Sequence, residues 1–338
     1  MTGNVVFLHI GIHKTGTSSI QATLAANRKK LLSENIVFPE SLPSNHSHFF
    51  YDAFAREPER YHANRRHNLG RDEIHARSEE DLQRLAREFG GQRGKTIVFS
   101  AEDACVLDAA EVVNMAQVIK AVVPQPTFRV LVYTRNPVHY VASAVQENVK
   151  GNGLTMGRAK AIHIGGSRGR YQAIQERYAA VFGAGAIVMR AFETAIDAPG
   201  GLVGDVLAQM GADGLALEQV RANEGVADEV VRFLSSLHER GAFAQVPEDD
   251  VTRLLTLTGN KGGLLTAEER ERIWQLAETD LAFLAAEHAI VYQKPDDVPP
   301  ETRTARHAAF QEALARMLPA LAPQTQLEIT RFLSGPQD

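Results

Sequence analysis

The chain has 338 residues, 44% of them hydrophobic, with a formal charge of −5 and a pI near 6.2. It can bury one large core or two modest ones, and nothing in its net charge suggests a general nucleic-acid or membrane-surface binder, local basic stretches aside. Cys105 is the only cysteine, which excludes an internal disulfide framework and a Cys-rich zinc site and fits a reducing compartment.

Residues 1–10, MTGNVVFLHI, run straight into the first motif and leave no room for a signal peptide before it. No apolar run reaches the roughly 18 residues that span a bilayer. A soluble, cytoplasmic protein is expected. Val5–Ile10 is apolar except for His9, as a strand covered on both faces requires. Gly11-Ile12-His13-Lys14-Thr15-Gly16-Thr17-Ser18-Ser19 follows, and helical spacing runs over Ser18–Glu34. A glycine-rich turn from strand to helix gathers backbone N–H groups at the positive end of the helix dipole, which makes an anion site. Nucleotide hydrolases space this turn as G-x-x-x-x-G-K-[ST]. Gly11 and Gly16 keep that spacing, but Thr17 stands where the lysine belongs, and the lysine is Lys14, inside the loop. The plainer reading is a turn that only caps a helix.

Pro39 and Pro43 end the second apolar run, and Asn45-His46-Ser47-His48-Phe49 comes next. Ser78 with Asp81, ahead of Leu82, Leu85 and Phe89, predicts a capped helix over Glu79–Phe89. The strand Thr96–Phe99 ends in Ser100-Ala101-Glu102-Asp103, and helical spacing returns over Ala109–Val123. The strand Phe128–Tyr133 ends in Thr134-Arg135-Asn136-Pro137 and leads into a helix over Val138–Val149. Proline suits the first turn of a helix, so Arg135 sits at a strand's carboxyl end, with Ser143 two turns into the helix. An arginine fork plus a hydroxyl suits a phosphate dianion. A hydrolase would place an Asp at such a strand end to hold magnesium; arginine favours a metal-free site.

Asn148–Arg170 holds Lys150, Arg158, Lys160, Arg168 and Arg170 with six glycines and no acid. It reads either as a solvated, flexible connection or as a basic lid. Tyr171–Phe182 has helical spacing, Ala186–Met189 reads as a strand, and Arg190-Ala191-Phe192-Glu193 follows. This alternation predicts right-handed βαβ units and an open, mainly parallel sheet flanked by helices, with ligands at the carboxyl ends of the strands. From about Asn223 the chain turns to Ala, Leu, Glu and Arg with helical spacing. The expected division is therefore an α/β core over residues 1–222 and a helical C-terminal region over 223–338. Trp274, Ala277, Leu281 and Leu284 mark one helix face, Thr266 with Glu269 caps its start, and a final helix pair falls around 304–334.

KTGTSS at 14–19 resembles the 5′-phosphosulfate loop of the sulfotransferases, and Arg135, Pro137 and Ser143 resemble that family's 3′-phosphate motif. The stretch 171–193 is similar to the family's helix and following strand, with Tyr178 where Trp is frequent. The resemblance covers roughly residues 4–195 and is to bacterial carbohydrate-sulfotransferase-like members. It implies a phosphate-loop-like sulfotransferase fold and metal-independent, in-line transfer from 3′-phosphoadenosine 5′-phosphosulfate to an acceptor hydroxyl on a glycan, lipid or small molecule. The co-substrate would be held by Lys14, Thr15, Gly16, Thr17, Ser18, Ser19, Arg135 and Ser143, with Lys14 also facing the leaving oxygen. The family's base is His or Glu at varying positions, and His48, Glu102 and His46 are the candidates here. His9 and His13 flank the loop and are expected to shape it. The alternatives left open are a phosphate-loop kinase or NTPase and a catalytically idle nucleotide-binding scaffold. The acceptor's identity and the oligomeric state stay open too.

Overall fold

Five parallel strands, β1 (Asn4–His9), β2 (Ile36–Val37), β3 (Thr96–Ser100), β4 (Pro126–Thr134) and β5 (Ile187–Ala191), make one sheet in the order β2-β3-β1-β4-β5. The computed structural model describes residues 3–166, 170–220, 225–296 and 299–334. The chain divides into two units. One comprises Met1–Arg135, Gly169–Asn223 and Asp280–Val291; the other comprises Asn136–Arg168, Glu224–Thr279 and Tyr292–Asp338. Among the described residues, no helix is long and apolar enough to cross a membrane.

The first unit holds the sheet. Its central strand β1 is apolar and buried on both faces because helices cover both sides, the arrangement an all-parallel sheet demands. Register pairs His9 with Ser100 of β3 and with Leu131 of β4. The central strands thus change from apolar to polar at their carboxyl ends, in the buried residues His9, Ser100 and Thr134. That edge is where an open parallel sheet presents its ligand site. At the opposite end, buried Asn4 ties two turns together, donating to the carbonyls of Gln92 and Pro124.

Four of these strands follow the apolar runs in the sequence, β5 starting one residue later and running two further than the pattern. β2, only two residues long, lies in the second apolar run, too short to be read as a strand. The helix Tyr171–Phe182 matches the spacing, and Ala109–Val122 starts on a capping box of Asp108 and Glu111. Two expectations need correction. Ser78 and Asp81 cap nothing, because their helix starts seven residues earlier and spans Arg71–Phe89; Ser78 donates back to the His75 carbonyl instead. The helix expected over 18–34 breaks at Asn27, whose side-chain amide bonds the Thr23 carbonyl and exchanges hydrogen bonds with the Glu218 backbone.

The regular elements of the second unit are all helices among its described residues, around a core that includes Val141, Val145, Leu234, Leu237 and Ile273. Its basic stretch is not a loose connection: Met156–Gly165 forms a helix capped by the Thr155 hydroxyl. Lys160 pairs with Glu269 at 2.9 Å and Lys150 with Glu147 at 3.1 Å, so two of its cations are engaged within the unit. Arg168 lies outside the described residues. Thr266 and Glu269 do form a capping box, but the face expected over 274–284 belongs to two helices, Ala267–Leu276 and Glu278–His288, parted at Ala277. No glycine or proline marks that break. The last pair comprises Pro300–Met317 and Pro323–Ser334.

Candidate active site

The loop after β1 turns through two left-handed residues, Lys14 (φ 66°) and Gly16 (φ 75°). Gly16 is required twice over, by that φ and because a Cβ there would collide with the Leu202 side chain and come 3.2 Å from Phe192. The helix Thr17–Ala26 starts directly on it. The Ser19 and Ile20 N–H groups both bond the Gly16 carbonyl, and the helix turns the positive end of its dipole to the loop. The Thr15 hydroxyl is spent on the loop itself, donating to the Ile12 carbonyl at 2.6 Å. The Thr17 hydroxyl is buried and has no partner among the described residues. Ser18 and Ser19 are half-buried on the first turn.

Arg135 joins this loop from the end of β4. Its guanidinium donates to the Lys14 carbonyl and lies 4.9 Å over the Phe192 ring, while its backbone N–H donates to the Tyr171 hydroxyl at 3.1 Å. Lys14 and Arg135, far apart in sequence, therefore meet. Ser143 is half-buried on the helix Pro137–Gly151, in the second unit. Arg190, from the R-x-F-E stretch, is committed elsewhere. It forms a forked bond to buried Asp205, which also accepts from the Tyr133 hydroxyl at 2.7 Å. Tyr178 is fully buried and donates to the Ala104 carbonyl at 2.7 Å.

The turn after β3 brings the carboxylates to the loop. His13 Nε2 lies 3.0 Å from Asp103 Oδ1, and its Nδ1 lies 3.7 Å from Glu102 Oε2. Hydrogen bonds to Asp103 and then Glu102 push the His13 pKa up to about 10, so this imidazole is a cation beside Lys14. Burial disfavours an ionised Asp103. The His13 contact and the Tyr61 hydroxyl, 2.8 Å away, outweigh it and hold the Asp103 pKa below the usual value.

The two histidines of the 45–49 stretch have different surroundings. His46 is fully buried, stacked on Phe38 at 4.8 Å, and its Nδ1 accepts from the Ser100 N–H at 3.0 Å. Burial, aided by the charge of Arg28, pulls its pKa down to about 3. It is a neutral ring whose one lone pair is already used. His48, with 38% of its side chain exposed, lies one turn before Asp52 on the helix Ser47–Phe54. Its Nε2 is 2.8 Å from Asn64 Oδ1, 2.9 Å from the Arg77 guanidinium and 3.6 Å from Asp52 Oδ2. Asn64 donates in turn to Asp52 at 2.7 Å. Tyr61 packs 5.4 Å from the His48 ring while bonding Asp103, so contacts run from the loop through His13, Asp103 and Tyr61 to His48.

Sequence reasoning missed Asp103, Tyr61 and the trio of Asp52, Asn64 and Arg77. Asp103 carried the same signal as Glu102, a carboxylate just past a strand's end, and the four-residue spacing of His48 and Asp52 was readable on a helix. Tyr61, Asn64 and Arg77 come from separate local elements and carried no signal. No group of three or more His, Cys, Asp or Glu side chains among the described residues is placed to share a metal ion.

No protein-family model matches the chain, and no curated protein matches it in sequence. Among solved structures, the sulfotransferase from Alicyclobacillus acidocaldarius is similar over 83% of this chain and 94% of its own, at 19% identity and a TM-score of 0.46. So distant a likeness carries no argument about the site.

Proposed function

We propose that the chain is a sulfotransferase that moves the sulfuryl group of 3′-phosphoadenosine 5′-phosphosulfate onto an acceptor hydroxyl of a glycan, lipid or small molecule. The observation that carries this reading is the bond from Arg135 to the Lys14 carbonyl, which puts the cations of both motifs at one loop. Lys14, the N-terminus of the helix and the Thr17 and Ser18 hydroxyls suit the 5′ end of the co-substrate. The unpartnered Thr17 hydroxyl fits an incoming oxygen. Arg135 is assigned to the 3′-phosphate.

In the transfer, the acceptor oxygen attacks sulfur, the bond from sulfur to the bridging oxygen breaks, and its electron pair stays on the 5′-phosphate. Lys14 counters the charge that grows there. His48 is the base best supported by geometry. In the tautomer that donates Nε2–H to Asn64 Oδ1, Nδ1 keeps a lone pair for the acceptor's proton; the tautomer that accepts from Arg77 at Nε2 would carry its proton on Nδ1 and could not serve. Glu102 faces the His13 cation and His46 has no lone pair to spare, which ranks both below His48.

Turnover of a radiolabelled sulfuryl donor against a panel of alcohols, glycans and lipids, in EDTA, tests this reading. Label transfer in EDTA is expected. Magnesium-dependent transfer from ATP would make the protein a kinase or NTPase instead. Tight nucleotide binding without turnover on any acceptor would make it an idle binder.

A further inference from the structure

His9 closes β1 with its ring fully buried and its Nδ1 2.9 Å from the Ser100 hydroxyl. Its Nε2 has no partner among the described residues, and neither has the Thr17 hydroxyl, on a residue only 3% exposed. Both atoms lie beside Gly11: a Cβ there would come 3.0 Å from His9 Nε2, 3.3 Å from Thr15 Oγ1 and 3.5 Å from Thr17 Oγ1, so any larger residue would crowd all three. Buried polar groups are rarely left unmet, and two of them beside one glycine, at the mouth of a helix N-terminus, call for a partner.

The polarity of that partner is set by the groups around it. Burial pulls the His9 pKa down to about 4, the charge of Glu102 only partly offsetting it, so the ring is neutral. The Ser100 hydroxyl can donate to Nδ1, which leaves the ring proton on Nε2. Nε2–H and the Thr17 O–H are then two donors beside one glycine, next to the positive end of the helix. Their complement is an oxygen, and a negatively charged one before a neutral one.

We propose that His9 Nε2 and the Thr17 hydroxyl together hold one oxygen of the 5′ anion of the co-substrate over Gly11. His9 thereby becomes a buried binding residue of the loop rather than part of its scaffold alone. The inference rests on the reading under Proposed function and names a contact that reading does not include.

Binding of 3′,5′-bisphosphoadenosine, measured by calorimetry on the full chain, tests it with two variants. His9→Phe keeps a ring and removes the donor; Thr17→Val keeps the shape and removes the hydroxyl. Each is expected to weaken binding about tenfold or more, the scale of a hydrogen bond to a charged group. The double variant is expected to lose less than the product of the two, because both donors serve one oxygen. In the wild-type protein, the His9 Nε2 nitrogen resonance is expected to move on saturation with the bisphosphate, an observation that needs no variant to fold. A wild-type chain that fails to bind the bisphosphate would overturn the sulfotransferase reading and this inference with it. A wild-type chain that binds while both variants bind equally well, or while the Nε2 resonance stays put, would overturn the inference alone and leave the two donors to a water.

Discussion

Around Gly11, two buried polar atoms, His9 Nε2 and Thr17 Oγ1, lack partners among the described residues. Around His48, the side chains of Asp52, Asn64 and Arg77 are bonded to one another and to the ring. The contrast separates two jobs. Unmet donors beside a helix N-terminus are costly in the resting protein and are worth keeping only if something arrives to meet them. A self-contained cluster needs no visitor to hold its shape; what it offers is a fixed orientation for its half-exposed member, His48. The loop is thus suited to binding, and the histidine cluster to positioning one group.

The largest effect should come from the oriented group. His48→Ala should cut turnover by roughly 10²–10⁴-fold, the range for losing a general base, while bisphosphate binding by calorimetry stays at the wild-type value. Glu102→Gln should turn over far better than His48→Ala. A dead Glu102→Gln beside a working His48→Ala would hand the role to the carboxylate and break the contrast.

Next is Lys14. Lys14→Ala should lower kcat by about 10²–10³-fold, as removal of a group that counters developing charge does, with a much smaller loss of nucleotide affinity. Single-turnover kinetics beside calorimetry separate the two. Equal losses in both would make the amine a plain binding group.

Arg135→Ala should weaken bisphosphate binding by roughly 2–4 kcal/mol, the cost of removing one partner of a partly buried charged contact. Its bond to the Lys14 carbonyl adds a second possibility that 5′-AMP resolves. If the guanidinium serves the 3′-phosphate, AMP binding should hardly change. If it only props the loop, both nucleotides should lose the same amount.

The smallest effect concerns His13, which links the two regions. Its pKa is raised from an ordinary 6.5 to about 10 by Asp103 and Glu102. The pairing therefore stabilises the fold fully below about pH 6.5, and that contribution is lost as pH rises through about 10. With 45% of the side chain exposed, solvent screens the pair and the change in stability should be slight. The cleaner measurement is an NMR titration of the His13 ring. It should remain protonated at pH 8 in the wild type, and its midpoint should fall towards 6.5 in Asp103→Asn.

The sheet was legible because β-branched runs buried on both faces have few other ways to fold, and the strand-end motifs could be placed once their strands were. What escaped were features decided by partners distant in sequence. The helix from Arg71 begins with a very polar turn, so the Ser78 and Asp81 pair looked like its start. Asn27 ends a helix because the 216–220 segment needs its amide. What separates His46 from His48 was not readable in the sequence, since it is the N–H of Ser100 that occupies one and the Asp52 cluster that orients the other.

The left-handed backbone at Lys14 has an evolutionary consequence. A non-glycine residue held at φ 66° costs about 1 kcal/mol. Lys14→Gly would relieve that strain and should therefore leave the protein more heat-stable while removing the ammonium, though not the His13 cation, from the loop. Relaxed selection would find this substitution among the easiest, because it trades activity for robustness. On the proposed reading, a glycine at this position in a related chain would mark a lineage that has kept the fold and given up sulfuryl transfer.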